Sequence, residues 1–506
     1  MLLVKMESDY SSDDSLLLRK AKVKPEKPLK GEHWERIEST KENIPETSQK
    51  FELGSALKFS NLVDYFDFFF DQSLLQTIAD LSNQNFKDSN KKGPSEELTV
   101  AELRRFLGLI IMMGIDKKPE VAMHWETHGM WDSNLIRSTM SRQRFSFIWK
   151  WLKIYPGESQ NSLDKIHLIN ESIKLKSKEA CYLGQNLAID ESMVAFKGRH
   201  QMKQYMPMKP TKWGFKYFVL ADSGTGYAYN WELFSEKKCT NFSPYNIVLR
   251  LMEGLQKNHH LFTDNWYSSV KLAEQLYQRG FYMTGTMRKS QNAPQELKTL
   301  KLQKNEAVFW HNKEVLFLAW KDRKLVCAIS NYYPPYIVER KKKSSEKTAE
   351  RPLLIHEYNR YMQGVDLLDQ RMSYYPYPHK SLKWWKYLFV FYLEVAINNS
   401  YLLYCKQHSK KTFVEYRLEL VKSLTYRETI GNKRLRTPLT MEQKYAKKRL
   451  IMDTANHHTL LSTGKAQTCD ICKYQGSRNS RTTLKCNECN KPMHRKCFFY
   501  THSQAC

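Results

Sequence analysis

Three short acidic motifs are the most informative feature of this chain, because a fold that brings their carboxylates together would create one acidic site. The motifs are AIDESMVAF around Asp190, FTDNWYSSV around Asp264, and MQGVDLLDQR around Asp366 and Asp369. Each motif places a carboxylate among apolar neighbours, where an unpaired ion is costly and usually needs a metal or a cation. Three or four such carboxylates that converge on one point would hold two Mg²⁺ ions for phosphodiester chemistry.

The charge of the chain indicates a polyanionic partner. The 506 residues carry 80 Lys and Arg against 53 Asp and Glu, a formal net charge of +27. The simplest partner for such a chain is DNA or RNA, and its length predicts two to four domains. The most apolar runs, Leu107–Ile115 and Tyr387–Ile397, fall short of the ~20 residues of a membrane span. Because charged residues interrupt the N-terminus, no signal peptide is predicted either.

Hydrophobic spacing divides the first 289 residues into three regions. Residues 1–57 are polar and rich in Ser, Lys, Glu and Pro, which predicts a disordered tail. In residues 58–186 apolar side chains recur at helical spacing, as at Leu103, Phe106 and Ile110. In residues 187–289 the order β-β-β-α-β-α-β predicts an α/β mixed sheet with helices packed on it, as in ribonuclease H-like folds.

The remainder of the chain departs from this alternation. Residues 290–352 predict a β-rich insertion, in which a small meander leads into the basic loop ERKKKSSEK. The pattern is then helical in residues 353–375 and 376–455. A Thr/Gly/Lys/Gln linker leads to the cysteine-rich segment 456–506.

The predicted elements place the carboxylates where a ribonuclease H-like site has them. In such a site one carboxylate lies on the first strand, a second at the end of the neighbouring fourth strand, and a third on a later helix. Asp190, Asp264 and Asp366 fall on those elements, and Asp369 lies on the same helical face as Asp366. The alternative is that Asp190 and Asp264 are ordinary strand-end turn residues, while the later pair stabilises a helix N-terminus.

Long ordered motifs give the chain a resemblance to a known family. They are IDESMVAFKGRHQMKQYMPMKPTKWGFK, DNWYSS, YNRYMQGVDLLDQ, the KWW at Lys383–Trp385 with a downstream NNSY, and the terminal cysteines. From about Phe59 to the C-terminus the chain resembles the piggyBac superfamily of DDE/D transposases. The resemblance implies that Asp190, Asp264 and Asp366 are the metal-binding triad and that Asp369 is an additional acidic residue of the site.

The same resemblance implies an architecture and an activity. Residues 187–289 and 353–375 would form the catalytic core, interrupted by the insertion at 290–352. Residues 58–186 and 376–455 would form a helical dimerisation and DNA-binding domain. The implied activity is metal-dependent cut-and-paste transposition at TTAA sequences by a homodimer in the nucleus.

A basic loop and an aromatic motif are candidate DNA contacts. No acidic residue interrupts residues 197–216, so the loop after the first catalytic strand could clamp phosphates. Its cations are Lys197, Arg199, Lys203, Lys209, Lys212 and Lys216. Lys383, Trp384 and Trp385 could grip a backbone and stack on an unpaired base. The alternatives are a solvated charged loop and two core tryptophans.

The C-terminal cysteines are spaced as zinc ligands. Paired soft ligands with two intervening residues are typical of a cross-brace site for two Zn²⁺ ions. The eight candidates are Cys469, Cys472, Cys486, Cys489, His494, Cys497, His502 and Cys506. Cross-bracing would pair Cys469 and Cys472 with His494 and Cys497, and His458 competes with Cys506 for the eighth position. Such a domain has too little core to fold without metal.

Three functions remain open at this point. The leading hypothesis is a Mg²⁺-dependent DNA transposase with nuclease and strand-transfer activity. The second is a domesticated DNA- or chromatin-binding protein that keeps the fold and the zinc domain but no longer transposes. A RING-type ubiquitin ligase is a third, although the last ligand interval is short for that domain.

Overall fold

A mixed sheet of ten strands organises the N-terminal part of the described chain. The computed structural model describes residues 17–20, 34–37, 50–54, 58–90, 96–127, 133–157, 162–235, 242–289, 293–342, 345–426, 460–474, 481–487, 489–495 and 497–498. These residues belong to two compact units, Met1–Tyr426 and Arg427–Cys506.

The described part of the first unit contains the strands β1 to β15. In chain order they are β1 (Leu17–Lys20), β2 (Glu35–Arg36), β3 (Glu52–Leu53), β4 (Cys181–Tyr182), β5 (Asn186–Ala195), β6 (Lys203–Tyr205), β7 (Trp213–Asp222), β8 (Ala228–Leu233), β9 (His260–Thr263), β10 (Tyr282–Met287), β11 (Ala307–Asn312), β12 (Val315–Lys321), β13 (Leu325–Ser330), β14 (Tyr336–Lys342) and β15 (Ser345–Pro352).

Strand pairing makes β5 a central strand of the large sheet. The order is β2-β11-β12-β13-β10-β9-β5-β7-β6, and β8 also pairs with β7. β5 is parallel to β9, which is parallel to β10, whereas β7 runs antiparallel to β5. The predicted strand and helix order of residues 187–289 is therefore confirmed, apart from the additional short strand β6.

Helices pack around this sheet and begin where the sequence supplies caps. They are α1 (Leu62–Phe69), α2 (Gln72–Lys87), α3 (Val100–Ile115), α4 (Asn134–Thr139), α5 (Arg142–Trp151), α6 (Asp164–Glu179), α7 (Pro244–Leu251), α8 (Val270–Gln278), α9 (Leu353–Tyr361), α10 (Gly364–Tyr374), α11 (Trp385–Gln407) and α12 (Phe413–Thr425), with a 3₁₀ helix at Val121–Trp125. Thr99, Ser141 and Ser269 each accept a hydrogen bond from the first turn of α3, α5 and α8.

Helix α11 is the central helix of the helical region. Its length and composition would suffice to cross a membrane, but 83% of its most apolar window is buried inside the protein. It contacts α1, α6, α10 and α12, together with β5. A helix that is apolar all round is expected to be surrounded by other elements.

Three predictions for this unit were wrong in part. Residues 1–57 are not all a disordered tail, because Trp34 and Phe51 belong to the main hydrophobic core and β2 pairs with β11. The meander β11–β13 does not form a separate domain, because β13 pairs with β10 and so extends the main sheet. The segment predicted as the basic loop ERKKKSSEK contributes to the hairpin of β14 and β15.

The second unit is small. It contains β16 (Leu460–Thr468), α13 (Asp470–Tyr474) and β17 (Arg481–Cys486), and β16 pairs antiparallel with β17. Its buried cluster consists of Cys469, Ile471, Cys486, Met493 and Phe498. Two of these five side chains are cysteines, so the described residues of the unit share a small apolar cluster.

Candidate active site and metal cluster

The register of two parallel strands brings Asp190 and Asp264 side by side. Ile189 on β5 lies opposite Thr263 on β9, so the next residue of each strand is a carboxylate. Asp264 is held at the end of β9 by its own backbone turn, in which the Trp266 N–H donates to Asp264 Oδ1 at 2.8 Å. The sequence prediction that these two residues lie on neighbouring strands is confirmed.

Helix α10 brings Asp366 and Asp369 to the same place. A Cβ atom on Gly364 would lie 3.0 Å from the Asp222 carbonyl oxygen and 3.2 Å from Ala188 Cβ. Glycine therefore permits the close approach of α10 to β5 and β7 at this point. Ser192, two residues after Asp190 on β5, donates a hydrogen bond to Asp369 Oδ1 at 2.5 Å.

A lysine ammonium lies among these carboxylates. Lys209 Nζ is 3.0 Å from Asp190 Oδ2 and donates to the Glu191 carbonyl oxygen at 2.7 Å. Burial opposes the charge of Lys209, but the carboxylates of Asp190, Glu191 and Asp369 raise its pKa. The sequence assigned Lys209 to a DNA clamp, whereas the structure places its ammonium group against the Asp190 carboxylate.

The electrostatics of the site favour additional positive charge. Burial raises the pKa of Asp264, and the negative charge of Asp190 raises it further. Burial and then repulsion from Asp190 likewise raise the pKa of Asp366. Burial raises the pKa of Asp369 to about 7, against the opposing effects of Ser192 and Lys209. A bound cation would stabilise the ionised form of each of these groups.

Glu191 is a further carboxylate that the sequence analysis did not single out. Its Oε1 accepts hydrogen bonds from Tyr267 Oη and Lys216 Nζ, each at 3.1 Å. Burial, followed by the hydrogen bond and repulsion from Asp190, raises the pKa of Glu191 to about 7. Its position next to Asp190 in the motif was the available signal.

Lys216 therefore supports the site from within the protein. Its ammonium group lies 4.6 Å from the ring centroid of Phe218 and 4.7 Å from that of Trp266. The side chain is 12% exposed and paired with Glu191. This geometry does not fit the predicted role of Lys216 as a phosphate contact.

A cavity of about 640 Å³ opens beside the carboxylates of α10. Asp366, Asp369 and Lys209 line one side of it, and Tyr387 and Phe391 are among its apolar walls. The carboxylates thus border a concave space and are not sealed inside the protein.

The other predicted cations of the basic loop lie at the surface. Lys197, Arg199 and Lys212 are exposed, and Lys203 is half-buried. The Lys203 ammonium donates to the Gly198 carbonyl oxygen at 2.8 Å and lies 5.0 Å from the Trp213 ring centroid. These residues remain available to a polyanion.

The predicted KWW site divides into one exposed and two buried side chains. Lys383 is exposed, but Trp384 and Trp385 are only 9% and 3% exposed. Trp384 packs against His200 and Phe215, with ring centroids 4.6 and 5.7 Å apart. The structure contradicts the prediction that these tryptophans stack on a base and matches the alternative of two core residues.

The cysteine cluster adopts the predicted pairing. One ligand atom from each of Cys469, Cys472, His494 and Cys497 lies within 4.8 Å of all the others. His494 Nδ1 is 3.2 Å from Cys472 Sγ, while its Nε2 is 2.8 Å from the Arg481 carbonyl oxygen. Because a carbonyl can only accept, Nε2 carries the proton and Nδ1 faces the sulfur atoms.

The second ligand set can be described only in part. Cys486 and Cys489 lie in one turn, with the Cys489 N–H 3.4 Å from Cys486 Sγ. The predicted ligands His502, Cys506 and His458 lie outside the described residues. The competition between Cys506 and His458 for the eighth position therefore stays open.

Comparison with known protein families supports one family. A DDE-transposase family model, described as Transposase IS4, matches residues 62–401, more than half of the chain.

Individual human proteins are similar over most of the chain. The human PiggyBac transposable element-derived protein 3 is 26% identical over 464 residues, covering 87% of this chain and 75% of the human protein. The human PiggyBac transposable element-derived protein 2 is 24% identical over 380 residues, covering 70% of this chain and 64% of that protein.

A solved structure has a similar fold. It is a cryo-EM structure of the piggyBac transposase synaptic complex with hairpin DNA, with a TM-score of 0.68 and 21% identity. The match covers 89% of this chain and all of that one. At this identity, the match shows a shared fold.

Proposed function

The chain belongs to the piggyBac-type family of DDE transposases, and on that premise we propose that it is a metal-dependent DNA transposase. The observation that carries this proposal is the convergence of Asp190, Asp264, Asp366 and Asp369 from β5, β9 and α10. The proposed reaction is strand cleavage at the ends of a DNA element, followed by strand transfer into a TTAA sequence.

We propose that the sheet around β5 is a ribonuclease H-like core. Its strands run β8-β7-β5-β9-β10; β7 is antiparallel to both β8 and β5, whereas β9 and β10 are parallel to β5. This topology supports the assignment, because it sets the first and fourth strands of the core next to each other. Carboxylates at those two strands and on α10 are the arrangement such a nuclease needs.

The carboxylates fit a site for Mg²⁺, and Asp190, Asp264 and Asp366 would hold the ions. Carboxylate oxygens are the ligands that Mg²⁺ prefers, and the repulsion that Asp190 exerts on Asp264 and Asp366 creates a demand for positive charge. When bound, two Mg²⁺ ions supply charge stabilisation for the attacking and leaving oxygens of an in-line displacement. Among the described residues, no three of these carboxylates have oxygen atoms within 4.8 Å of one another, as the ligand atoms of the cysteine cluster have.

The protein's own residues have distinct parts in this proposal. Lys209 neutralises Asp190 and keeps its carboxylate oriented towards the site. Ser192 fixes the direction of Asp369, so that Asp369 acts as a positioning residue beside Asp366. Next to Asp190 in the chain, Glu191 contacts Tyr267 and Lys216, and these contacts hold this part of β5 in place.

The DNA partner is proposed from charge. Lys197, Arg199 and Lys212 are exposed in the segment that follows β5 and would contact phosphates. Lys383 would extend this basic surface, since Lys150 and Lys153 lie near enough to lower its pKa, after the larger effect of burial. Homodimerisation through the helical segments and action in the nucleus are parts of the same proposal.

We propose that the second unit binds zinc and recognises the end of the element. Cys469, Cys472, His494 and Cys497 would hold one Zn²⁺ ion, because three thiolates and one imidazole are a usual structural zinc set. Cys486 and Cys489 would hold a second ion with ligands from outside the described residues.

The alternative function is a DNA- or chromatin-binding protein that no longer transposes. The observation that favours it is that both human relatives are named as derived from a transposable element. Such a protein would bind DNA through the same basic surfaces without needing an active carboxylate set.

A donor-plasmid excision assay separates the two functions. The protein is expressed with a marker flanked by the terminal repeats of its own element and TTAA sequences, and precise repair of the donor is scored. If the protein is a transposase, we expect excision that depends on Asp190. Binding to the repeats without excision by the intact chain would favour the alternative.

A further inference from the structure

Two neighbouring aromatic side chains are exposed at the edge of the large sheet. Tyr205 on β6 is the cross-strand partner of Trp213 on β7, and their ring centroids are 4.5 Å apart at an interplanar angle of 33°. The two residues are 50% and 51% exposed. Aromatic rings contribute most when buried, so two adjacent rings left half in solvent suggest a surface that a ligand covers.

The charges around this pair select a polyanion. Lys203 lies over the Trp213 ring at 5.0 Å, and Lys197, Arg199 and Lys212 are exposed in the same stretch of chain. The sequence between residues 197 and 216 contains no Asp or Glu. Rings flanked by cations match a strand of nucleic acid, whose bases stack while its phosphates pair with lysine and arginine.

The position of the pair ties it to the carboxylate site. Lys209, which contacts Asp190, lies midway between Tyr205 and Trp213 in the β6–β7 connection. The Phe196 N–H donates to the Trp213 carbonyl oxygen at 3.2 Å, so Trp213 lies beside the residue that follows β5. Phe196 is six residues further along the chain than Asp190, which is about 20 Å at the usual rise of a strand. That distance corresponds to about six nucleotides of a DNA strand.

Edge protection is the competing explanation. β6 is the last strand of the sheet order, and lysines on an edge strand oppose pairing with other chains. This accounts for the lysines, but it does not account for two exposed rings in contact with each other. Exposed aromatic side chains make an edge more prone to association.

We infer that Tyr205 and Trp213 form a stacking platform for an unpaired base, within about six nucleotides of the phosphate held at the carboxylate site. The inference rests on the proposed function, because it takes the bound ligand to be DNA. It replaces the stacking role that the sequence had given to Trp384 and Trp385. A paired base has both faces covered in the duplex, whereas an unpaired base offers a face to the rings.

The test is a binding comparison on two DNA probes in buffer without Mg²⁺. Both probes carry the element end and its TTAA flank, and one is unpaired over six nucleotides next to the cleavage position. Replacing both rings, Tyr205→Ala with Trp213→Ala, is expected to weaken binding to the unpaired probe by on the order of tenfold or more. Affinity for the fully paired probe should change less than about twofold, because phosphate contacts supply it.

Matched variants keep this test decisive. Tyr182→Ala removes another exposed aromatic residue, 53% exposed on β4, and should leave both affinities unchanged. Tyr205→Phe with Trp213→Phe keeps two rings and should restore most of the preference for the unpaired probe. Thermal unfolding of each variant checks that the fold is retained.

Each possible result decides whether the two rings bind an unpaired base. Unchanged binding by the double alanine variant, or equal loss on both probes, would overturn the stacking platform. A change in aggregation with unchanged DNA affinity would assign the pair to the sheet edge alone, which also overturns the platform. If the intact chain prefers the unpaired probe through these rings yet never excises an element, the platform stands and the proposed transposase activity fails.

Discussion

The two units of this protein hold their functional side chains in different ways. Around the carboxylates, β5 and β9 belong to a large sheet whose buried cluster contains dozens of apolar residues. Around the cysteines, the buried cluster has five members, of which two are cysteines themselves. On the proposed function, packing positions the first site before any ion binds, whereas the second is expected to need an ion to join its ligands.

The difference has an electrostatic counterpart. In the first unit Lys209 partly neutralises the carboxylates, so the fold tolerates the acidic cluster without a metal. In the second unit Cys472 Sγ lies 3.6 Å from Cys497 Sγ and 3.2 Å from His494 Nδ1, so the candidate zinc ligands crowd around one point. We therefore expect a metal to serve catalysis as a cofactor in the first unit and to serve folding as a structural component in the second.

Chelation tests this comparison with the largest expected effect. A zinc chelator should unfold the second unit, because its small core cannot offset the loss of chain entropy. The first unit should keep its fold in the same solution. Hydrogen exchange read separately on peptides from residues 460–498 and 186–287 measures both outcomes. Protection of the cysteine peptides that survives complete metal removal would contradict the account.

Removal of one partner from a buried ion pair should strongly destabilise the first unit. Arg417 is completely buried, and it donates two hydrogen bonds to Glu394 and one to the Tyr375 carbonyl oxygen. Arg417→Met leaves Glu394 buried without its partner and should destabilise the unit by about 3–5 kcal/mol.

The matched control for this variant is the surface pair of Lys411 with Glu419. Lys411→Ala should cost far less than Arg417→Met, because solvent screens the interaction. Denaturant unfolding monitored on the first unit compares the two. Similar costs for both substitutions would show that the buried pair is not special.

Mild acid should weaken the first unit through His260. This side chain is fully buried against Thr284, and burial lowers its pKa to about 3. A histidine with a lowered pKa in the folded state favours the folded state fully above its unfolded pKa, about 6.5, and loses that contribution as the pH falls towards 3. Between pH 6.5 and 4.5 the loss is about 2 kcal/mol. Denaturant melts of the intact chain and of His260→Gln should show a shallower pH dependence for the variant, and parallel curves would remove His260 as the cause.

The smallest effect is on the salt dependence of DNA binding. Replacing Lys197, Arg199 and Lys212 with alanine should reduce the slope of log K against log salt by about 2–3, because each phosphate contact contributes about 0.9. The control replaces the exposed Arg323 and Lys324 on the turn between β12 and β13. Equal slopes for the two variants would show that the loop beside the carboxylates does not contact DNA.

Local pattern predicted the parts of the site that depend on neighbouring strands and one helix. Asp190, Asp264 and Asp366 could be placed because each follows from the order of short elements. The burial of Trp34 could not, since it depends on β2 pairing with the distant β11. The roles of Lys209 and Lys216 were missed for a related reason. A run of cations gives no sign of which ammonium groups turn inward to a carboxylate.

The tryptophans show the same limit. Trp384 and Trp385 stand next to lysines, as a stacking site would require, yet they pack inside the protein. Tyr205 and Trp213 carry no distinguishing local pattern, and only the pairing of β6 with β7 sets them together at the surface. Exposure is decided by the whole fold.

Cleavage of an element end by the purified protein tests the central claim most directly. Asp190→Ala, Asp264→Ala and Asp366→Ala are compared in Mg²⁺ with Asp322→Ala, a control at an exposed aspartate on the β12–β13 turn. The account predicts that the intact protein and the control cleave, and that each of the three variants loses at least on the order of a hundredfold in rate. DNA binding and melting temperature should persist. Wild-type cleavage by any of the three would exclude that residue from the site, and wild-type cleavage by all three would contradict the account.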